Sequence, residues 1–283
     1  MTIAFGGTFV ATKVALRGFE PLLIAFVRFA IAGAILWLAW RWRGEREAVT
    51  RGELRRLALL GFVSLTVYFT FENLGIAHTS ASDAAILIAT VPVFVLIVNA
   101  ATVREETSSR QWLGVALSFA GVVALALLGG RGVGGATPAG DLLGLGASLA
   151  GAVYTVMARR LLVTRSALFV TAFQNLFGAL FMAPLAALEA ATVGVRTPTA
   201  AAVTAVLYLA LLGSVVAYLL LNYGLRFVSA GRAAAFTNVI PVIAVGAAFV
   251  VLGERFTAGQ ALAAVVVLAG VFLANRTAPA PAG

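Results

Sequence analysis

The chain has 283 residues, of which 61% are hydrophobic and 11% charged, and its mean hydropathy is +1.02. Soluble globular proteins contain about 45–50% apolar and about 25% charged residues, so the composition excludes an ordinary soluble protein. The net charge of +9 does not indicate a nucleic-acid partner, because the basic residues lie mostly between apolar segments, where they orient membrane helices.

Ten apolar segments follow one another along the chain, separated by short polar loops. They cover approximately 1–16, 20–42, 54–77, 84–103, 112–129, 140–158, 167–188, 200–225, 232–252 and 257–275. A helix of about 20 residues, rising about 1.5 Å per residue, crosses a hydrocarbon core of about 30 Å. We therefore predict an all-α integral membrane protein with ten transmembrane helices, numbered here as spans 1 to 10.

The basic residues are distributed unevenly between the two sets of loops. With the N-terminus placed inside, the inner loops hold 14 Lys and Arg residues and the outer loops hold 5, and the loop 41–56 contributes most to this difference. Basic loops stay on the cytoplasmic side. The sequence therefore predicts a multi-pass protein of the plasma (inner) membrane with both termini in the cytoplasm.

The two halves of the sequence align when one is shifted by 149 residues. Polar and proline residues match at this offset, which chance similarity between apolar segments does not explain: Asn73 with Asn222, Pro92 with Pro241, Glu105 with Glu254, and Gln111 with Gln260. Each half has five spans, an odd number, so the second half enters the membrane inverted. We predict one repeat at 1–130, an inverted repeat at 140–276 and a disordered Ala/Pro-rich tail at 277–283.

Inverted repeats are typical of transporters, in which substrate binds near the bilayer midplane between the halves and alternating access moves one half against the other. The sequence contains no cysteine, no HExxH or GxSxG motif and no phosphate-binding GK[ST] ending in its Gly-rich segment 129–135. We therefore expect no metal, no cofactor and no enzyme activity. A passive facilitator or channel, and less favourably a membrane-embedded enzyme, remain alternatives.

Three sequence features resemble one known family. They are the segment 72–82, which reads ENLGIAHTSAS, the spacing Pro92–Glu105–Gly121 with its repeat Pro241–Glu254–Gly270, and the segment 5–13, where Phe5 stands where a Trp is usual. Over nearly the whole chain, the sequence resembles the EamA-type exporters of the drug/metabolite transporter superfamily. The resemblance implies export of amino acids, including aromatic ones, or of other metabolites.

The expected partners follow from this interpretation. They are a small-molecule substrate, for which neutral or aromatic amino acids are favoured, the lipid bilayer, and protons as a candidate coupling ion. The oligomeric state is left open, and a monomer is compatible with the sequence. Spans 1, 3, 4, 6, 8 and 9 are expected to line a central cavity, in part because of the resemblance.

Pro92 and Pro241 lie near the middle of spans 4 and 9. A proline inside a helix removes one backbone hydrogen bond, which predicts kinked helices with free carbonyls at Ile88 and Thr237. In lipid such carbonyls must face protein or a wet cavity. We interpret the two kinks as lining the substrate site, with a simple packing kink as the alternative.

Two ionisable side chains lie inside predicted spans, Glu72 in span 3 and Arg28 in span 2. Intramembrane charges are costly and normally face a cavity or a partner. A structural Glu72–Arg28 ion pair is one hypothesis, and proton exchange at Glu72 is the other. His78, at the outer end of span 3, is a further candidate for gating or proton transfer, although a solvated histidine is the simpler interpretation.

The remaining candidates are polar or aromatic residues within the spans. Asn73 and Asn222 are expected at opposite ends of the protein, either as gates or as hydrogen bonds between helices, and Glu105 and Glu254 are expected to anchor loops and helix starts. The full set of candidate substrate-binding residues is Thr8, Phe69, Glu72, Asn73, Pro92, Tyr154, Gln174, Tyr218, Asn222, Thr237, Asn238 and Pro241.

Overall fold

The computed structural model describes residues 1–44, 49–102, 108–128, 137–227, 239–255 and 257–274, and all regular structure in these ranges is helical. The helices are α1 (Thr2–Ala15), α2 (Pro21–Trp42), α3 (Arg51–His78), α4 (Ala81–Ile88), α5 (Val91–Thr102), α6 (Ser109–Leu128), α7 (Pro138–Leu162), α8 (Ala167–Val193), α9 (Ala200–Leu225), α10 (Ile240–Leu252) and α11 (Ala258–Ala274). The predicted tail at 277–283 lies outside the described residues.

Six helical segments of the described chain are long and apolar enough to cross a membrane. They are α2, α3, the segment Ala81–Thr102 that contains α4 and α5, α7, α8 and α9. Four shorter apolar helices accompany them, namely α1, α6, α10 and α11. The described part of the chain is therefore all-helical, and its long apolar helices are those of a multi-pass membrane protein, as the composition predicts.

Several helices begin where a Ser or Thr hydroxyl accepts a hydrogen bond from the backbone. The first turn of a helix leaves N–H groups without partners, and such side chains supply them. The capping residues are Thr50 for α3, Ser80 for α4, Thr137 for α7, Ser166 for α8 and Thr199 for α9. These caps determine helix starts that hydropathy alone places less accurately.

Helices α3 and α9 each contain a π-helical segment in their middle, at Phe62–Val67 and Leu209–Ala217. The offset of 149 residues carries 62–67 onto 211–216, inside the second segment. A π-helix is rare and usually short, so its occurrence at equivalent positions indicates that both halves use the same local distortion. Each distorted segment faces a helix of the opposite half, as described below.

Helices α6 and α11 pack with their backbones in contact. A Cβ atom added at Gly114 would lie 2.3 Å from the backbone nitrogen of Ala274, and one added at Gly270 would lie 2.3 Å from that of Ser118. Small residues permit this close approach of membrane helices. The contact joins the last described helix of each half.

The segment Ala81–Thr102 is broken rather than kinked. Helix α4 ends at Ile88, and Pro92 is the second residue of α5, just as Pro241 is the second residue of α10. The predicted disruption of the helix near Pro92 is present, but it is a two-residue interruption at Ala89 and Thr90. It places Pro92 in the first turn of α5, where a proline, which has no N–H group, fits best.

At this break the carbonyl of Leu87 accepts hydrogen bonds from side chains, whereas the sequence predicts a free carbonyl at Ile88. It accepts hydrogen bonds from the Oγ1 of Thr90 at 2.7 Å and from the Oγ of Ser148, on α7, at 2.8 Å. The Leu87 carbonyl is thus satisfied in part by a neighbouring helix, as a membrane interior requires. The equivalent predicted carbonyl, at Thr237, lies outside the described residues.

Candidate substrate cavity

A cavity of about 90 Å³ lies between helices of the two halves. Its first-half lining comes from α1 to α5, and its second-half lining comes from α7, α9 and α10. Of the predicted site residues, the cavity brings together Thr8, Arg28, Phe69, Glu72, Tyr154, Tyr218 and Pro241. A concave space with mostly apolar walls and a few polar groups is the usual form of a small-molecule site.

Aromatic rings form much of the cavity wall. Phe69 and Tyr218, which the offset of 149 residues makes equivalent, lie with their ring centroids 6.3 Å apart. Tyr218 also contacts the rings of Phe5 at 5.4 Å and Tyr154 at 5.8 Å. Such rings supply a large apolar contact area with defined geometry, which suits a substrate with an apolar or aromatic part.

Arg28 supplies a buried positive charge to the same cavity. Its side chain is only 1% exposed, its Nε donates a hydrogen bond to the Oγ of Ser214 at 2.9 Å, and its guanidinium lies 4.5 Å from the ring centroid of Phe69. Its Nη1 atom is buried and makes no hydrogen bond to any described residue. The guanidinium is therefore only partly satisfied by the protein.

Glu72 supplies a negative charge to the cavity. Its Oε1 accepts a hydrogen bond from the hydroxyl of Tyr68, one turn earlier on α3, at 3.0 Å. The hypothetical ion pair with Arg28 is not formed between these two described residues, since no nitrogen–oxygen contact of 4.0 Å or less joins them. The two residues share the cavity but use other partners, because Ser214 and the Phe69 ring hold the guanidinium.

A hydrogen-bond network lies behind the aromatic wall. Asn222 accepts from the hydroxyl of Tyr154 at 2.9 Å and donates to the Oγ1 of Thr171 at 2.9 Å and the Oε1 of Gln174 at 3.1 Å. Gln174 in turn donates to the Oγ of Ser64 at 3.0 Å. Of these residues only Tyr154 lines the cavity, so Asn222 and Gln174 join helices, which is the alternative that the sequence left open.

Three other predicted site residues, Asn73, His78 and Pro92, are not among the cavity lining. Asn73 is fully buried, and its Nδ2 donates to the carbonyl of Pro21 at 2.8 Å, so it also joins two helices. The side chain of His78 is exposed at the end of α3. Pro92 is not among the lining residues, while Thr237 and Asn238 lie outside the described residues.

Tyr68 and Thr155 line the cavity although the sequence did not single them out. A signal for Tyr68 exists, because residues four apart share one face of a helix and Tyr68 precedes Glu72 by four positions. No such signal exists for Ser214, whose equivalent in the first half is Leu65. Its role depends on a contact across 186 residues of sequence.

Glu254 anchors a helix start as expected, but that of α4 in the other half of the chain and not that of span 10, which it precedes. Its carboxylate accepts hydrogen bonds from the backbone nitrogens of Ala81 at 2.9 Å and Ser82 at 3.0 Å, and from the Ser82 hydroxyl at 2.6 Å. A carboxylate at a helix N-terminus satisfies free N–H groups and interacts favourably with the helix dipole. The equivalent residue, Glu105, lies outside the described part of the chain.

Comparisons with known proteins agree with this architecture. An uncharacterized transporter of Archaeoglobus fulgidus is 31% identical over 96% of this chain and 93% of its own length. A probable terminal-alkyne amino-acid exporter of Streptantibioticus cattleyicolor is 28% identical over 97% of this chain and 90% of its own length. One solved crystal structure matches the fold with a TM-score of 0.69 at 20% identity, covering 96% of this chain and 93% of that one.

The sequence pattern of the EamA-like transporter family matches residues 1–127 and 138–276, which is nearly the whole chain. This match is consistent with the EamA-type segments quoted from the sequence and with the transporter names of the relatives. The chain therefore belongs to the EamA-like transporter family.

Proposed function

We propose that this transporter exports small metabolites from the cytoplasm, and that neutral or aromatic amino acids or related compounds are its substrates. The observation that carries the proposal is the cavity between the two halves, which combines the aromatic rings of Phe69, Tyr154 and Tyr218 with the charged groups of Arg28 and Glu72. An amino acid has the matching features, since it carries an apolar side chain and two opposite charges.

The mechanism we propose is alternating access in a ten-helix inverted repeat, with repeats at 1–130 and 140–276. Three features support it. The π-helical segments occupy equivalent positions, Pro92 and Pro241 occupy the same place in their helices, and both halves contribute to one cavity. Substrate sites between inverted repeats, near the ends of broken helices, are typical of this mechanism.

The substrate class has further support from one relative, whose name describes a probable amino-acid exporter. For location we propose the plasma membrane, with both termini in the cytoplasm, because the inner loops hold more Lys and Arg than the outer ones and the loop 41–56 contributes most to this difference. Export is then movement away from the side that holds the termini.

A second candidate property is coupling to protons through Glu72. The carboxylate is buried in the cavity, its direct hydrogen-bond partner is the hydroxyl of Tyr68, and Arg28 is not close enough to form an ion pair. A buried intramembrane carboxylate that faces a cavity and makes no direct ion pair is a candidate proton-exchange group.

The proposed function is tested with purified protein in proteoliposomes. Counterflow and uptake of a radiolabelled panel of neutral and aromatic amino acids are measured at two pH values, against empty liposomes. We expect saturable uptake and counterflow for part of the panel. Flux that does not saturate would favour a passive facilitator, and a panel without any transported compound would contradict the proposed substrate class.

A further inference from the structure

We infer that Arg28 binds the carboxylate group of the substrate and that Glu72 faces its ammonium group, so that the cavity selects zwitterionic amino acids over compounds without a carboxylate. The inference rests on the proposed export of amino acids and names the groups that recognise them.

The guanidinium of Arg28 is incompletely hydrogen-bonded by the described protein. An arginine carries five N–H donors in a fixed fork, yet the described protein supplies Arg28 with one side-chain acceptor, the Oγ of Ser214, and leaves the buried Nη1 without any. A buried charged group whose donors are only partly satisfied is costly. A carboxylate that enters the cavity can accept from the fork through both of its oxygens, which is the strongest form of this contact.

The guanidinium of Arg28 is also held in place without a ligand. The hydrogen bond to Ser214 and the ring of Phe69 hold it from two sides. The protein also leaves room for it, because a Cβ atom at Gly213 would lie 2.9 Å from Nη2. A fixed fork needs little further ordering when it binds a planar carboxylate, which favours affinity.

The charges of Arg28 and Glu72 are not repeated in the second half of the chain. The offset of 149 residues places Phe177 and Leu221 at the positions equivalent to Arg28 and Glu72. The fold of a half therefore does not need a charge at either position. Because a charge inside the membrane is costly, its presence in one half only favours a role in binding in addition to the contact of Arg28 with Ser214.

The cavity as a whole matches a zwitterion with an apolar side chain. Arg28 and Glu72 offer opposite charges to the same space without neutralising each other through direct contact. The rings of Phe5, Tyr154 and Tyr218 form an apolar wall for a side chain. A zwitterion with an apolar side chain satisfies all of these groups, whereas an amine or an amide brings no negative charge to pair with the guanidinium.

The test compares matched ligands on the purified full chain in detergent. L-phenylalanine and L-leucine are compared with L-phenylalaninamide and L-leucinamide, which lack only the carboxylate, and binding is measured by isothermal titration and by ligand-induced thermal stabilisation. We expect the amides to bind the unmodified protein roughly 10- to 100-fold more weakly than the acids, as the loss of a charged hydrogen bond implies.

The same comparison is made with Arg28→Gln, Arg28→Lys and the control Arg17→Gln, which changes an exposed arginine outside the cavity. We expect Arg28→Gln to abolish the preference for acids over amides by weakening the acids alone, and Arg28→Lys to keep part of it. Arg17→Gln should keep the full preference. Monodispersity on size exclusion and the unliganded Tm establish that each variant is folded.

The inference is overturned if the acids and amides bind the unmodified protein equally, or if Arg28→Gln keeps the preference. In both cases amino-acid transport in proteoliposomes would still stand, so the failure concerns the recognition of the carboxylate alone. If Arg28→Gln does not fold, the comparison of acids with amides on the unmodified protein and on Arg28→Lys decides. A panel in which no amino acid is transported would contradict the proposed function itself.

Discussion

Arg28 and Ser214 connect the two halves of the protein, since the Nε of Arg28 donates to the hydroxyl of Ser214 at 2.9 Å. Gln174 and Ser64 make the reciprocal contact at 3.0 Å. In each case a polar side chain on the second helix of one half reaches the π-helical segment in the third helix of the other half. The halves are thus joined twice, by a charged contact next to the cavity and by a neutral one behind it.

Glu72→Gln separates a role in coupling from a role in stability. If Glu72 exchanges protons during transport, the variant should fold normally and lose the pH dependence of transport, because an amide does not titrate. Transport is measured in proteoliposomes at several pH values, and stability by thermal unfolding in detergent. Glu53→Gln is the matched control, since Glu53 lies outside the cavity and pairs with Arg165. A lower Tm with unchanged pH dependence would contradict coupling.

Asn222→Ala should destabilise the protein by about 1–3 kcal/mol, because it leaves the Tyr154 hydroxyl and the Gln174 carbonyl oxygen buried without their partner. The effect is measured as a fall in Tm in detergent. Asn99→Ala is the control, because Asn99 is half-buried in α5 and lies outside this network. Equal losses in the two variants would show that the network contributes nothing specific.

Glu254→Ala should weaken the start of α4 by about 1–2 kcal/mol, the usual cost of removing a helix cap. The backbone N–H groups of Ala81 and Ser82 lose their acceptor, so hydrogen exchange at these amides should become faster. Exchange is followed by mass spectrometry on the purified protein. The neighbouring Arg255→Ala changes an exposed side chain and should leave this exchange unchanged; a similar increase there would argue against the cap.

Gly270→Val should destabilise the protein by about 1–3 kcal/mol through overpacking, because the added Cβ would lie 2.3 Å from the backbone of Ser118. Gly246→Val places the same side chain in α10, where a Cβ would meet nothing within 4 Å. The two variants have the same change in helix propensity, so the difference between their Tm values isolates the contact of α6 with α11. No difference would mean that these helices can move apart at little cost.

Much of the helical layout could be predicted from hydropathy, because a bilayer demands long apolar segments. The predicted segments 20–42 and 200–225 agree closely with α2 (Pro21–Trp42) and α9 (Ala200–Leu225). The predicted start at 84 was late, since α4 begins at Ala81. Its first residues are polar or small, and the hydroxyl of Ser80 determines the start.

The internal repeat also predicts some of the cavity residues. It paired Phe69 with Tyr218, whose rings meet at the cavity, and it drew attention to Pro92 and Pro241. It could not show that the chain breaks before Pro92, because a proline is compatible both with a kinked helix and with the first turn of a new one. Nor could it reveal the partner of Arg28, since Ser214 has an apolar equivalent in the first half.

The contact of α6 with α11 restricts how the two halves can move. At Gly114 and Gly270 the backbones of α6 and α11 are in direct contact. If one helix slid along the other, larger side chains would collide with the backbone at these positions. Each half contributes its last described helix to this contact, and neither helix lines the cavity. We expect the halves to turn about α6 and α11 as a fixed pivot, so that the largest displacement occurs far from the pivot and opens one mouth as the other closes.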